Sequence, residues 1–220
     1  MKSLLAAAAF VAVALTTSIA SAASLGIVGG NNFVLNSGFD LNATTGLSAG
    51  DTVKRWTRNN EAGGGILTGA PTTLKFTYLG SEAAHFNSFV DTSSGHDVLF
   101  DNENSSVYDM ATSWVTSDGL LGFEFETEYR VCFFIFCKDV KKEAENDGDI
   151  DRGLSIALFQ DTDGSLIALF GDGSGDSDMD DMAVRISVVP VPAALPLFGA
   201  ALLGMGFLAR RRKQKAALQA

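Results

Sequence analysis

The chain has 220 residues, with 26 acidic residues against 16 basic ones and a formal net charge of −10. Six of the basic residues lie at the two ends, so residues 24 to 188 hold ten basic residues against all 26 acidic ones, a formal charge of −16. This excess excludes a nucleic-acid-binding surface and disfavours anionic lipid as a partner, since a phosphate-binding surface needs clustered cations. The length of this region fits one domain.

The first 23 residues have the pattern of a secretion signal. Lys2 precedes an uncharged apolar run from Leu4 to Leu15, and Ala20 and Ala22 supply the small side chains that signal peptidase accommodates. We therefore predict that residues 1–23 are removed by cleavage near Ala22 or Ala23 and that the chain is exported. A permanent transmembrane helix is the alternative, but it needs a longer apolar run of roughly 20 residues.

The middle of the chain alternates apolar and polar residues with the period of a β-strand. Leu74, Phe76 and Tyr78 alternate with threonine and lysine, which places the two sets on opposite faces. The longest such stretch runs from Gly122 to Val131, and we expect its acidic residues to lie on a solvent-exposed face. The same face should carry these residues: Glu124, Glu126, Glu128 and Arg130. Further predicted strands are Leu154–Leu158, Val184–Val188, Phe86–Val90, Val98–Phe100 and Leu166–Phe170.

Clusters of Gly, Asp, Asn and Ser separate these predicted strands, as turns require. No stretch between residues 24 and 188 keeps a helical period over three turns, although Lys138 to Glu145 suggests one or two turns of helix. The pattern predicts an all-β domain, an antiparallel β-sandwich or jelly roll, over residues 24–188.

The only two cysteines, Cys132 and Cys137, lie in the region predicted to be exported, where an oxidising compartment permits a disulfide. In one straight strand they would be separated by about 16 Å and would point to opposite faces. A disulfide therefore requires the chain to turn at Phe133-Phe134-Ile135-Phe136, and free thiols are the alternative. Two cysteines with no suitably spaced histidine do not make a zinc site.

A run of carboxylates lies between the last two predicted strands, in a glycine-rich segment. Close carboxylates repel one another unless a cation intervenes, and Ca²⁺ takes six to eight oxygen ligands in irregular geometry. The segment therefore indicates a calcium site, and a solvated acidic turn is the alternative. The candidate ligands are Asp172, Asp176, Asp178, Asp180 and Asp181. A second acidic run, Asp147-Gly148-Asp149-Ile150-Asp151, would serve the same ion or none.

The sequence contains no motif of a known catalytic site. There is no Gly-x-Ser-x-Gly, His-Glu-x-x-His or phosphate-binding glycine loop, and the two histidines, His85 and His96, receive no role. We therefore predict that the protein is not an enzyme. Three aromatic residues, Trp56, Trp114 and Tyr108, suggest a platform on which sugars stack, with packing in the core as the alternative.

The C-terminal end has three parts in a fixed order. A proline-containing motif, Val189-Pro190-Val191-Pro192-Ala193, is followed by an apolar run from Ala193 to Ala209 and then by Arg210-Arg211-Arg212. The apolar run is long enough to enter a bilayer, and the arginines should stay on the cytoplasmic side. The prolines fix φ and remove N–H donors, so they should leave an extended stretch between the domain and the membrane.

These three parts of residues 189–215 resemble the PEP-CTERM sorting signals, in particular their VPLPA-CTERM variant. The chain differs from the commonest form in having no Glu between the prolines, and Val191 stands where the variant usually has Leu. The resemblance implies recognition and cleavage by an exosortase-like membrane protease in a Gram-negative bacterium that makes extracellular polysaccharide. The segment Thr77 to Phe89 more loosely resembles ectodomains that carry such tails, and the Asp172–Asp181 region resembles acidic segments found just before them.

Together these features predict a non-enzymatic protein of the cell surface or biofilm matrix. The protein would pass through an inner-membrane intermediate with its ectodomain in the periplasm. A carbohydrate-binding module that engages extracellular polysaccharide is the main alternative, and an exported hydrolase is a third.

Overall fold

The computed structural model of the protein describes residues 23–58, 64–93, 95–134, 136–173 and 178–190, together with Met205. Nearly all of the predicted signal peptide, and all of the apolar tail except Met205, lie outside these ranges. Within the described ranges, no helix is long and apolar enough to cross a membrane. In this described part of the chain the strands pair antiparallel in three sheets, and a helical turn, α1 (Asn42–Thr45), accompanies them, which confirms the predicted all-β class.

The largest sheet has seven strands in the order β2-β3-β12-β13-β14-β5-β8. Its strands, in chain order, are β2 (Asn31–Val34), β3 (Thr52–Thr57), β5 (Thr72–Gly80), β8 (Met110–Val115), β12 (Ser155–Gln160), β13 (Leu166–Gly171) and β14 (Met182–Val188).

Two smaller sheets pack against one face of this sheet. A four-stranded sheet has the order β11-β10-β6-β7, with β6 (Phe86–Asp91), β7 (Asp97–Asp101), β10 (Phe123–Phe133) and β11 (Phe136–Glu145). A three-stranded sheet has the order β1-β4-β9, with β1 (Leu25–Val28), β4 (Gly65–Thr68) and β9 (Gly119–Leu120). The arrangement is therefore sandwich-like.

Phenylalanine rings fill the space between the large sheet and the four-stranded sheet. The Phe89 ring lies within 5.4 Å, centroid to centroid, of the rings of Phe76, Phe123 and Phe125. Phe125 on β10 stacks on Phe170 of β13 at 5.0 Å, which joins the two sheets directly. Offset and edge-on contacts of this kind stabilise a core beyond the area that they bury.

The opposite face of the large sheet is also covered. The segment between β2 and β3, which includes α1, lays apolar side chains over β13 and β14. This second cluster contains Leu35, Phe39, Leu41, Leu47, Ile167, Leu169 and Ala183. Strand β13 is therefore buried on both faces, which explains why its sequence is a continuous apolar run rather than an alternating one.

The buried side chain of Asn146 connects the three-stranded sheet to the rest of the core. Its Oδ1 accepts the Ile66 N–H at 2.8 Å, and its Nδ2 donates to the carbonyls of Ile66 and Leu121 at 2.9 Å each. The backbone N–H of Asn146 donates to the carbonyl of Phe123 in β10. Gly65 is required beside it: its φ is +149°, and a Cβ there would overlap the Asn146 carbonyl oxygen.

The helical turns predicted for Lys138 to Glu145 are wrong, because these residues belong to strand β11. Lys, Glu and Ala favour helix, but pairing with β10 along ten consecutive residues outweighs that weak local preference. The chain turns sharply between β10 and β11, so that Cys132 and Cys137 face each other with 4.0 Å between their Cα atoms and form a disulfide.

The β10–β11 hairpin and the C-terminal exit of the domain lie at opposite ends of the sandwich. Strand β14 stops at Val188, which pairs with Leu74 near the beginning of β5. The hairpin leaves the body beyond Tyr129, whose ring stacks on His85 at 4.9 Å. His85 in turn lies 3.4 Å from a carboxylate oxygen of Asp172, in the connection that precedes β14.

We predict that Asn146→Asp destabilises the fold by about 3 kcal/mol, because a carboxylate would face two buried carbonyl oxygens and would lose both N–H donors. Chemical denaturation of the purified protein measures this free energy of unfolding. Asn32→Asp on the exposed strand β2 is the matched control and should change stability by less than about 0.5 kcal/mol. Equal stabilities of the two variants would contradict the role of Asn146.

Candidate functional site

The aspartates in the two described ends of the acidic connection between β13 and β14 are buried in the body of the protein. Four of the five predicted calcium ligands are described, and all four are buried: Asp172, Asp178, Asp180 and Asp181. The fifth, Asp176, lies outside the described residues. Because β13 and β14 are inner strands of the large sheet, the chain that joins them begins and ends among buried neighbours.

Two of these carboxylates hold backbone amides. Asp180 Oδ2 accepts the N–H of Asp40 at 2.7 Å, which attaches the segment before α1 to the connection. Asp181 Oδ2 accepts the N–H of Asp172 at 2.7 Å, which closes the base of the connection. Hydrogen bonds from N–H groups to a carboxylate are among the stronger ones in proteins, so both contacts compensate for burial of the charge.

Asp172 faces the beginning of β6. Its Oδ2 accepts an N–H from Asn87 Nδ2 at 3.3 Å and lies 3.4 Å from His85 Nδ1. The same Asn87 amide donates to the main-chain carbonyl of Asp181. The structure therefore places Asp172 beside a histidine and an amide that the sequence alone does not associate with it.

The second acidic run, Asp147 to Asp151, forms a turn beside β11. Asp147 Oδ1 accepts the N–H of Asp149, and Asp151 Oδ2 accepts the N–H of Glu143. These are local turn contacts, and they account for two of the three carboxylates without an ion.

A further cluster of carboxylates lies on the outer face of the four-stranded sheet. The expectation that Glu124 and Glu126 are solvent-exposed is wrong, since each is only 4% exposed. Glu124 pairs directly with Glu145, and Glu126 with Glu143, so four carboxylates occupy two rungs of one face, with only the Phe125–Ala144 pair between them. Like charges placed directly opposite each other destabilise a sheet unless they are compensated.

Lys141 supplies a positive charge to this face, and His96 packs against the same carboxylates. His96 Nε2 lies 2.8 Å from Glu126 Oε1, and its Nδ1 lies 3.2 Å from Glu124 Oε1. Lys141 Nζ lies 2.7 Å from the same oxygen of Glu126. The segment between β6 and β7 positions His96 over the strand, which explains how polar residues on an outer face become buried.

Burial raises the pKa of Glu124 to about 7, assisted by a hydrogen bond with Glu126 and by the negative charge of Glu143. Burial also raises the pKa of Glu145, with the charges of Asp147 and Asp149 acting in the same direction. The cluster therefore holds a proton near neutral pH, and its oxygen-rich composition also suits a cation. The ligand atoms of His96, Glu124 and Glu126 lie within 4.8 Å of one another, as do those of Glu124, Glu143 and Glu145.

The three aromatic residues proposed as a sugar platform do not form one surface. Trp56 is 1% exposed and belongs to the core, so the core-packing alternative holds for this residue. Trp114, on the edge strand β8, is 55% exposed, and Tyr108 is exposed in the segment that precedes β8.

Comparison of the chain with protein-family models, with curated proteins and with solved structures finds no match.

We predict that Glu124→Gln reduces the dependence of stability on pH. The pKa of Glu124 in the folded protein lies above its ordinary value of 4.5. Its contribution to the free energy of unfolding is therefore complete below about pH 4.5 and is lost as the pH rises through 7. Glutamine does not titrate, so the variant does not suffer this loss. Its free energy of unfolding relative to that of the wild type should therefore rise by up to about 3 kcal/mol between pH 4 and pH 8.

Denaturant unfolding at pH 4, 6 and 8 measures the effect. Glu128→Gln is the control, since Glu128 lies on the same face of the same strand and is exposed. Parallel stability profiles for wild type and Glu124→Gln would contradict the elevated pKa.

Proposed function

We propose that this chain is an exported, non-enzymatic protein of the cell surface or extracellular matrix. In this proposal a β-sandwich ectodomain carries the C-terminal sorting signal, and an exosortase-like protease processes that signal. The signal peptide, the tripartite tail and the acidic composition of residues 24–188 support it together.

The end of strand β14 carries the proposal. This strand, the last of the described part of the chain, stops at Val188, and Val189 still donates its N–H to the carbonyl of Thr73 at 2.9 Å. The next residue, Pro190, is exposed and has no N–H with which to continue the sheet. The sorting motif thus begins where sheet pairing stops, which suits a protease that acts between a folded domain and a membrane.

The disulfide in the exposed β10–β11 hairpin supports export, because such bonds persist in the periplasm and outside the cell but are rare in the cytosol. The proposed route passes through the inner membrane with the ectodomain in the periplasm. The ectodomain then reaches the surface or the medium.

We predict that mature protein from the native host lacks residues 195–215, with its new C-terminus between Pro190 and Ala194. The 17 apolar residues from Ala193 rise about 25 Å as a helix, slightly less than the hydrocarbon core of about 30 Å, so the segment suits a transient anchor. Intact-mass spectrometry decides this, and recovery of the full tail would show it to be a simple anchor.

Neutral substitution of Arg210, Arg211 and Arg212 should impair processing.

We further propose that calcium stabilises the ectodomain at the β13–β14 connection. The burial of the carboxylates of Asp172, Asp178, Asp180 and Asp181 supports this, because a hard divalent cation stabilises negative charge that is withdrawn from water. The amide contacts of Asp180 and Asp181 hold the described ends of the connection, so the ion would add to contacts that these ends already make.

We predict that a hundredfold excess of Ca²⁺ over its dissociation constant stabilises the protein by about 2.7 kcal/mol. In a domain of this size the melting temperature should rise by roughly 5 to 10 °C. Asp178→Asn should lose most of this rise, whereas Asp118→Asn, at an exposed position, should retain it. Equal melting temperatures in chelator and in millimolar calcium would rule the site out.

A carbohydrate-binding function is the second candidate, and the exposed ring of Trp114 favours it. Trp114 lies on the outer face of the large sheet, opposite Thr73, where a flat aromatic surface is open to a sugar ring. Pull-down with the host polysaccharide separates the two functions, because only a binding module would be retained and would be released by Trp114→Ala.

A further inference from the structure

The β10–β11 hairpin extends beyond the body of the protein as a two-stranded ribbon. Tyr129 contacts the body through His85, and beyond it every described residue from Arg130 to Asp139 is exposed. The Phe133–Phe136 pair lies four residue steps along the ribbon from the Tyr129–Val140 pair, so the tip lies about 14 Å beyond the body. An isolated two-stranded ribbon is marginally stable, and the Cys132–Cys137 disulfide holds this one together one rung below its tip.

The tip of this ribbon is apolar. Phe133, Phe134 and Phe136 are 73%, 89% and 76% exposed, and the rings of Phe133 and Phe134 contact each other at 4.7 Å. Phe134 has a φ of +54°, a conformation in which tight hairpins favour Asn or Gly. A bulky aromatic at this position opposes both turn formation and solubility, so the requirements of the fold do not account for the composition of the tip.

The ribbon also differs in charge from the rest of the domain. From Arg130 to Asp139 it carries two cations, Arg130 and Lys138, against the single carboxylate of Asp139, which lies 3.7 Å from Arg130. Lys138 lies two rungs, about 7 Å, behind the Phe133–Phe136 pair. The Debye length is about 8 Å at physiological salt, so the tip, about 14 Å from the body, is largely screened from the acidic remainder.

We propose that this hairpin is a lipid-binding tip that inserts its phenylalanine rings into an anionic bilayer surface. The apolar tip enters the boundary between headgroups and acyl chains, and Arg130 and Lys138 meet the phosphate groups behind it. The domain's overall acidity, which disfavours anionic lipid, applies to the body and is locally reversed here.

Two features favour lipid over a protein partner. Three phenylalanine side chains at this exposure offer about 500 Å², less than the roughly 800 Å² per partner of a stable protein interface. Strand β11 is a sheet edge, and charged residues occupy most of its length, which disfavours strand pairing with a second copy. A bilayer requires no complementary surface, only an apolar tip and cations at headgroup level.

Co-sedimentation of the exported protein with vesicles tests the proposal, using phosphatidylcholine alone and phosphatidylcholine with 30% phosphatidylglycerol. Wild type should partition at least tenfold more strongly to the anionic vesicles, and Phe134→Ser and Phe136→Ser should each lose at least tenfold of that binding. Lys138→Glu should remove the preference for anionic lipid. Trp114→Ser is the control, because it deletes an exposed aromatic ring on another part of the surface. All variants have the same C-terminal segment, so differences in binding do not arise from it.

Equal partitioning of wild type, Phe134→Ser and Trp114→Ser would overturn the proposal. Self-association in the absence of vesicles, seen by analytical ultracentrifugation and lost in Phe134→Ser, would assign the tip to a second copy and would also overturn it. Unchanged melting temperatures of the tip variants verify that they fold, as expected for side chains outside the core.

Discussion

Burial of β13 on both of its faces is the constraint from which the arrangement of the other elements follows. Its side chains from Leu166 to Phe170 are inaccessible to solvent, so each face needs its own apolar cover. The four-stranded sheet supplies one cover through the stacking of Phe125 on Phe170. The segment around α1 supplies the other through contacts with Ile167 and Leu169. A strand of this kind lies at the centre of three layers and not at the surface of two.

The central position of β13 also determines the environment of the acidic connection. The chain leaves β13 at Gly171 and enters β14 at Met182. Both are inner strands, so the two ends of the acidic connection lie in the protein interior. Asp180 and Asp181 then act as acceptors for backbone N–H groups that would otherwise lack a sheet partner. The same burial that suits these residues to a cation also gives them a structural role, and in the proposed function the two roles coexist.

The sequence predicted most of the strands that line the main core, because those strands alternate or are continuously apolar. It failed at β11, where good helix formers pair with β10, and at Glu124 and Glu126, which lie on the face that alternation assigns to solvent. The cover over these glutamates comes from His96, which lies in the segment between β6 and β7. A contact of this kind depends on tertiary placement, and no spacing within one strand encodes it. The Asp172–Asp181 cluster was visible as composition, whereas its contacts with Asp40, His85 and Asn87 were not.

The opposite placement of the hairpin and the chain exit gives the domain a direction. Strand β14 delivers the chain to Val188 at one end of the sandwich, and the disulfide-linked ribbon projects from the other. If the C-terminal end is held at a surface, the length of the domain separates that surface from the ribbon, and the phenylalanine tip points away from it. Such a molecule is an oriented spacer. Attachment at one end fixes the direction in which the other end points, without any hinge or rearrangement within the fold.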